Sequence, residues 1–355
     1  MTSLFDSFQL GGLRLPNRIV MAPMTRARGT ADGLPVPSTA TYYAQRATAG
    51  LIVSEGLQPS LQGQSNPLTP GLHSAATVAA WRPVTAAVHA NGGRIFAQLM
   101  HGGRVGHADV VGFHPVAPSA VALTAELYTP QGPRPAPVPR ALAIGEIAGE
   151  VQAFVDAARR AVDAGFDGIE LHGANGYLIQ QFLSSGANLR TDAYGGTIAG
   201  RIRFAVEVAE ATAAAIGGDR VGIRLSPGGS TWETVEEDVP QLYAALFGAL
   251  APLELAYAHV LATVDDDAMV SLRKAWRTGF IVNPGGQIGP KAGDRAAGDH
   301  WLGLGADLVS YGRAYLANPD LVERFRLGLP LQASDKDSWY APGDTGYIDY
   351  PTYQH

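Results

Sequence analysis

Residues 151–177 read VQAFVDAARRAVDAGFDGIELHGANGY. The apolar residues Val151, Phe154, Val155, Ala158 and Val162 recur at the spacing of one helix face, and Gly165 stands where a helix C-terminus is commonly capped. The run that follows, Phe166–Leu171, is short and apolar and reads as a buried strand ending near His172. A helix that delivers the chain into a buried strand is half of a βαβ unit, the building block of parallel sheets.

The same rhythm extends in both directions. Candidate strands lie at Arg18–Met24, Leu51–Glu55, Arg94–Leu99, Asp167–His172, Arg220–Leu225, Ala256–Leu261, Phe280–Asn283 and Asp307–Tyr311. A second clear helix precedes Asn91-Gly-Gly93, with Val78, Trp81, Val84, Thr85 and Val88 on one face. Eight strands alternating with helices predict an α/β fold closed as a (β/α)₈ TIM barrel. The rival is an open doubly wound sheet, but no Gly-x-Gly-x-x-Gly follows the first strand. The residues ahead of the first strand form an N-terminal cap. A Gly/Pro-rich excursion, Gly102–Gly145, follows the third strand, and insertions of that kind usually serve as lids or binding loops. A tail begins at Leu331. No linker divides the chain, so residues 1–355 are expected to form a single domain.

The composition supports a packed enzyme-sized domain. Hydrophobic residues make up 46% of the 355 and charged residues 16%, enough apolar mass for a large core. A net charge of −6 argues against nucleic acid as a partner. The absence of cysteine excludes disulfides, zinc–thiolate sites and iron–sulfur clusters. No secretory leader and no uncharged apolar run of membrane-spanning length is evident, so the expected location is the cytoplasm, away from membranes.

In a barrel of this kind the active site lies at the C-terminal ends of the strands. Thr25, Glu55 with Gly56, Gln98, His172, Arg224, Asn283 with Gly285 and Gly286, and Gly312 with Arg313 all fall there. His172 and Asn175, three apart on the turn leaving a strand, aim two hydrogen-bond donors at one oxygen, and Tyr177 adds a weak acid beside them. That trio suits polarising a carbonyl or nitro group and delivering a proton. Glycines after the seventh and eighth strands, with Arg313, suit a phosphate. Thr25, Gln98 and Arg224 lie between the two, and a flat phosphorylated cofactor fits the layout. Each residue alone also has a structural reading, as a cap, a packing aromatic or an internal ion pair. His101, His107 and His114 raise the thought of a metal but lie in the excursion without a fixed frame.

Several stretches together resemble the Old Yellow Enzyme family of flavin-dependent reductases: Asn17-Arg-Ile-Val-Met-Ala-Pro-Met-Thr-Arg26, Gln98-Leu-Met-His-Gly-Gly-Arg104, the His172 segment with Tyr194-Gly-Gly-Thr197, Arg224-Leu-Ser-Pro227, and Tyr311-Gly-Arg-Ala-Tyr-Leu-Ala-Asn-Pro-Asp320. The resemblance runs from Leu4 to Tyr353. It implies non-covalent FMN, NADPH or NADH as hydride donor, and electron-poor alkenes as substrates, in a monomer or homodimer without a metal. It places Pro23, Met24 and Thr25 along the isoalloxazine, Gly56 beside them, Gln98 at the pyrimidine edge and Arg224 at N1/O2. Gly285, Gly286, Gly312 and Arg313 would hold the phosphate. His172 and Asn175 would bind the substrate oxygen, Tyr177 would donate the proton, and Tyr347 would close over the pocket. Thr rather than Cys at position 25 selects one branch of the family. Two departures fall at the substrate pocket: Met100, where relatives often carry Trp, and Asn66, where an aromatic is expected. The other functions open to such a barrel are a metal-dependent lyase and a flavin-binding barrel without turnover.

Overall fold

A computed structural model describes residues 2–284 and 293–353. Among them, eight parallel strands close a barrel: Ile19–Met21, Leu51–Leu57, Ile95–Leu99, Gly168–Gly173, Val221–Leu225, Tyr257–Leu261, Gly279–Asn283 and Leu308–Tyr311. Each pairs with the next in the chain, and the last closes on the first through Val309 and Ile19. All eight expected strands are present. The first is shorter than the sequence suggested, because Pro23 has no N–H for the ladder and the chain leaves the sheet after Met21. The second is longer, running to Leu57 with a register shift between Val53 and Gly56.

Helices clothe the barrel with their apolar faces inward. The helix Ile147–Asp163 buries Phe154, Val155, Ala157, Ala158 and Ala161 on the face turned to the barrel. The helix Ala75–Ala90 opens on a capping box between Ser74 and Thr77, which satisfies two backbone donors reciprocally. No helix among the described residues is long and apolar enough to cross a membrane.

Inside the barrel a separate cluster joins Val20, Leu51, Val53, Phe96, Tyr257, Ile281 and Leu308 to Leu10 and Leu15. The latter two come from an N-terminal hairpin, Phe8–Leu10 with Leu13–Leu15, that plugs the bottom of the barrel. This is the expected N-terminal cap. Gly168 and Gly222 leave room for the large rings there: a Cβ at either would lie within 2.5 Å of Phe96 or 2.3 Å of Tyr257.

The excursion after the third strand is structured. It holds a short helix, Ala108–Val111, and a hairpin of Glu126–Thr129 with Gly132–Pro135. Val105, Leu123 and Leu127 form a small apolar cluster against which Tyr177 and Trp232 pack. The excursion therefore buttresses one wall of the barrel mouth.

Candidate active site

At the C-terminal end of the barrel a cavity of about 480 Å³ opens. Pro23, Met24, Thr25, Gln98, Met100, His172, Asn175, Tyr177, Arg224 and Arg313 all line it, so residues distant in sequence converge as the strand-end reading expected. Gly285 and Gly286 lie outside the described residues.

His172 is the last but one residue of the fourth strand and is buried. Burial, reinforced by the nearby Arg224 charge, holds its imidazole down at about 3, so the ring is neutral. The Ala174 N–H donates to Nδ1 at 3.4 Å, which assigns the ring proton to Nε2. The next turn puts Asn175 in a left-handed conformation (φ 54°) with its N–H on Ser226 Oγ at 3.0 Å. Asn tolerates that geometry better than most residues, and it turns the side chain toward the cavity. Tyr177 lies with its ring 5.0 Å from that of His172. Burial raises the phenol pKa, while hydrogen bonds with Trp232, Ser65 and Asn66 pull it back.

Four placements correct the sequence reading. Tyr347 is wholly buried and does not line the cavity. Its ring stacks on Tyr42 at 4.3 Å, with the Arg26 and Arg28 guanidiniums against it. The tail residues that do face the cavity are Trp339 and Tyr340. Asn66 stands behind Tyr177, bonded to Ser65 Oγ at 2.9 Å, and orients the phenol. Gly56 is covered by Met100, whose Sδ would lie 2.7 Å from a Cβ there, so Met100 presents to the cavity in its place. Gly312 sits one step back, against Met24 and ahead of Arg313.

Arg26, Trp232, Leu316, Trp339 and Tyr340 line the cavity without having been singled out. Trp232 sits in a strained turn, with positive φ at Trp232 and Glu233. Arg104 Nη2 fixes that turn by donating to both carbonyls, at 2.8 and 3.1 Å, while the Glu233 carboxylate takes the Thr124 N–H at 2.9 Å. Arg26 and Arg28 tie down the tail through backbone carbonyls of Ser338, Trp339, Gly343, Thr345 and Gly346. No periodic pattern in the tail signals these contacts.

The floor offers what a flat polar cofactor needs. Arg224 Nε is buried without a hydrogen-bond partner. Gln98 commits its Nε2 to Glu170 at 2.8 Å, which leaves its oxygen for an N–H in the cavity. Arg313 lies over the Trp339 ring at 5.4 Å and faces the cavity with no carboxylate partner among the described residues. Among those residues no three His, Cys, Asp or Glu side chains gather in a way that could hold a metal ion. His101 instead faces Glu150 at 3.3 Å, His107 caps a helix and His114 bonds the Val138 carbonyl.

A parallel barrel with an anion-ready arginine on one side of its mouth and a neutral donor cluster on the other defines a site for a flat, phosphorylated redox cofactor. The comparisons with known proteins carry this further. The family model described as "NADH:flavin oxidoreductase / NADH oxidase family" matches residues 3–332. The rice 12-oxophytodienoate reductase 7 is 40% identical over 379 residues, covering 98% of this chain and 94% of that protein. A chanoclavine-I aldehyde reductase of Penicillium roqueforti is 39% identical, covering 99% and 96%. Among solved structures, the old yellow enzyme homologue from Zymomonas mobilis superposes with a TM-score of 0.93 at 39% identity, over 98% of this chain and 99% of that one. Morphinone reductase in complex with tetrahydroNAD superposes at 0.94 and 40%, over 100% and 98%. The chain belongs to the NADH:flavin oxidoreductase / NADH oxidase family, with the Old Yellow Enzyme homologues, and is an NAD(P)H-dependent flavin oxidoreductase with FMN as its cofactor.

Proposed function

We propose that this enzyme reduces the activated C=C bond of α,β-unsaturated carbonyl or nitro compounds. The observation that carries the reading is the neutral His172, with its proton on Nε2, beside Asn175 and Tyr177 on one turn facing the cavity. FMN held in this cavity would supply the hydride chemistry between NAD(P)H and the β-carbon of the alkene.

The chain's own residues bind, orient and protonate. His172 Nε2–H and the Asn175 side chain hold the carbonyl or nitro oxygen, and their hydrogen bonds strengthen as negative charge grows on it. A neutral imidazole serves here because it donates without adding a second full charge beside Arg224. Tyr177 protonates the α-carbon. Its phenol is a poor acid made poorer by burial, so its value lies in placement, which Ser65, Asn66 and Trp232 enforce. On the cofactor side Arg224, Gln98 and Thr25 would hold the flavin's polar edge, and Pro23 and Met24 would line its ring system. Arg313 would take the phosphate. Trp232, Trp339 and Tyr340 supply aromatic walls, so Met100 is one slim element in an otherwise broad-ringed pocket.

Replacing Tyr177 by Phe separates the two half-reactions. Anaerobic mixing with NAD(P)H should reduce the Tyr177→Phe cofactor at close to the wild-type rate. Reoxidation by cyclohexenone should slow by on the order of 10² or more. Equal losses in both steps would show Tyr177 to be structural.

A further inference from the structure

Beneath the cavity floor lies a chain of buried polar groups that substrate binding does not use. Glu170 precedes His172 by two residues on the fourth strand and is fully buried. Gln98 Nε2 donates to its Oε1 at 2.8 Å, and its Oε2 lies 2.7 Å from His259 Nδ1. His259 Nε2 lies 2.7 Å from Ser310 Oγ and 2.9 Å from Arg224 Nη1. Arg224 Nη2 donates to Asn283 Oδ1 at 3.2 Å. One carboxylate is therefore bonded to Gln98 directly and reaches Arg224 through a single imidazole, and both of those residues face the cavity.

The charges in this chain are defined. Burial raises the Glu170 pKa, but His259, Arg224 and Gln98 together outweigh it and hold the carboxyl below its usual range, so it is ionised. Burial and the Arg224 charge press His259 down to about 4, so it is neutral, with its proton toward Glu170. What remains is one positive and one negative charge. A buried pair of this kind is weak evidence for stability, since an apolar replacement is often as stable. Its presence calls for another reason.

We propose that Glu170, acting through His259 and Gln98, is a positioning residue and a charge counterweight that lowers the reduction potential of the bound FMN. The inference rests on the assignment of FMN to this cavity above Gln98 and Arg224. Reduction adds negative charge to the cofactor. Arg224 favours that change and Glu170 opposes it, so the carboxylate keeps the reduced cofactor a strong enough hydride donor for the alkene step. The hydrogen bonds also fix the Gln98 amide with its oxygen toward the cofactor.

The test is the midpoint potential of the FMN-loaded enzyme, equilibrated anaerobically with a reference dye. Glu170→Gln keeps the shape and the contacts while removing the charge. It should shift the two-electron equilibrium toward the reduced cofactor by 10- to 100-fold, about 30–60 mV. Glu170→Asp, which keeps the charge, should bring the potential back toward wild type. An FMN-loaded Gln variant with wild-type potential overturns the proposal, as does one altered only in stability or FMN affinity. If the Gln variant does not fold, Glu170→Ser, which also removes the charge, carries the measurement. The shift should again be positive; no shift overturns the proposal. Wild-type protein that neither contains nor binds flavin would remove the cofactor assignment instead, and the spectrum shows this before any variant is made.

Discussion

Phe96, Tyr257, Ile281 and Leu308 form the lower layer of the barrel interior, and Gln98, His259, Asn283 and Ser310 stand two residues further along the same strands. Gly168 and Gly222 relate in the same way to Glu170 and Arg224. The lower layer is packed apolar and closed by Leu10 and Leu15 of the hairpin. The upper one is a hydrogen-bonded chain of charged and polar groups. Strand parity decides that a residue points inward, and height along the strand decides whether it packs or does chemistry. The two layers should therefore fail in different ways when they are altered.

The largest effect is expected in the lower layer. Phe96→Ala should destabilise the fold by about 3–5 kcal/mol, because the cavity it leaves is walled by other strands and cannot collapse. Denaturant unfolding measures this, and the activity of the remaining folded enzyme should stay near wild type. A comparable fall in specific activity would mean that the layers are not independent.

At the rim above the polar layer the order reverses. The double replacement His172→Ala with Asn175→Ala should lose at least 10²–10³ in the alkene step, about 2.7–4 kcal/mol of transition-state stabilisation. Its unfolding midpoint should move far less than that of Phe96→Ala. Single-turnover reoxidation by an enone is the measurement, and wild-type rates would remove both residues from the mechanism.

Acid distinguishes the layers next. His172 and His259 are held at about 3 and about 4, and burial lifts Glu55 to about 7. Unfolded histidines titrate near 6.5 and glutamates near 4.3. Between about pH 6 and pH 5, unfolding lets the two histidines each gain a proton while Glu55 releases one. The net uptake is about one proton, so stability should fall by about 1.4 kcal/mol per pH unit as acid is added, with little slope from these groups above pH 7. His259→Gln should flatten the slope and Phe96→Ala should leave it intact. Urea melts across this range decide, and an unchanged slope in His259→Gln would contradict the assignment.

The smallest effect concerns selectivity. Met100→Trp should depress turnover of bulky enones several-fold more than that of cyclohexenone, because position 100 narrows a cavity already walled by Trp232, Trp339 and Tyr340. A uniform change across substrate sizes would show that position 100 does not shape the pocket.

The barrel was legible because helical and strand periods alternate cleanly, and most of the cavity followed from taking the polar residue at each strand end. Glu170 and His259 escaped because that rule looks at strand ends, whereas both sit inside short apolar runs. Their sign was present all the same: an ionisable residue at inward parity, two places from His172 in one case and from Tyr257 in the other. The tail was misjudged for a different reason. Tyr340 and Tyr347 are alike in composition and setting, and only the long-range bonds from Arg26 and Arg28 decide which of them enters the cavity. Asn66 and Gly56 were placed by neighbourhood to the site, but the side chains of Tyr177 and Met100 stand in front of them.

The way the tail is held has a consequence for how the pocket can diversify. Arg26 and Arg28 grip main-chain oxygens, which every amino acid possesses. Anchorage is therefore indifferent to most side chains in this segment, apart from Tyr347, whose buried ring packs between Tyr42 and the two guanidiniums, and Gly346, where a Cβ would collide with Ser338. Trp339 is held by Ser334 and carries Arg313 on its ring, but position 340 behaves like a replaceable insert in a fixed frame. A library randomised there should yield mostly folded, flavin-loaded proteins that differ in what they accept.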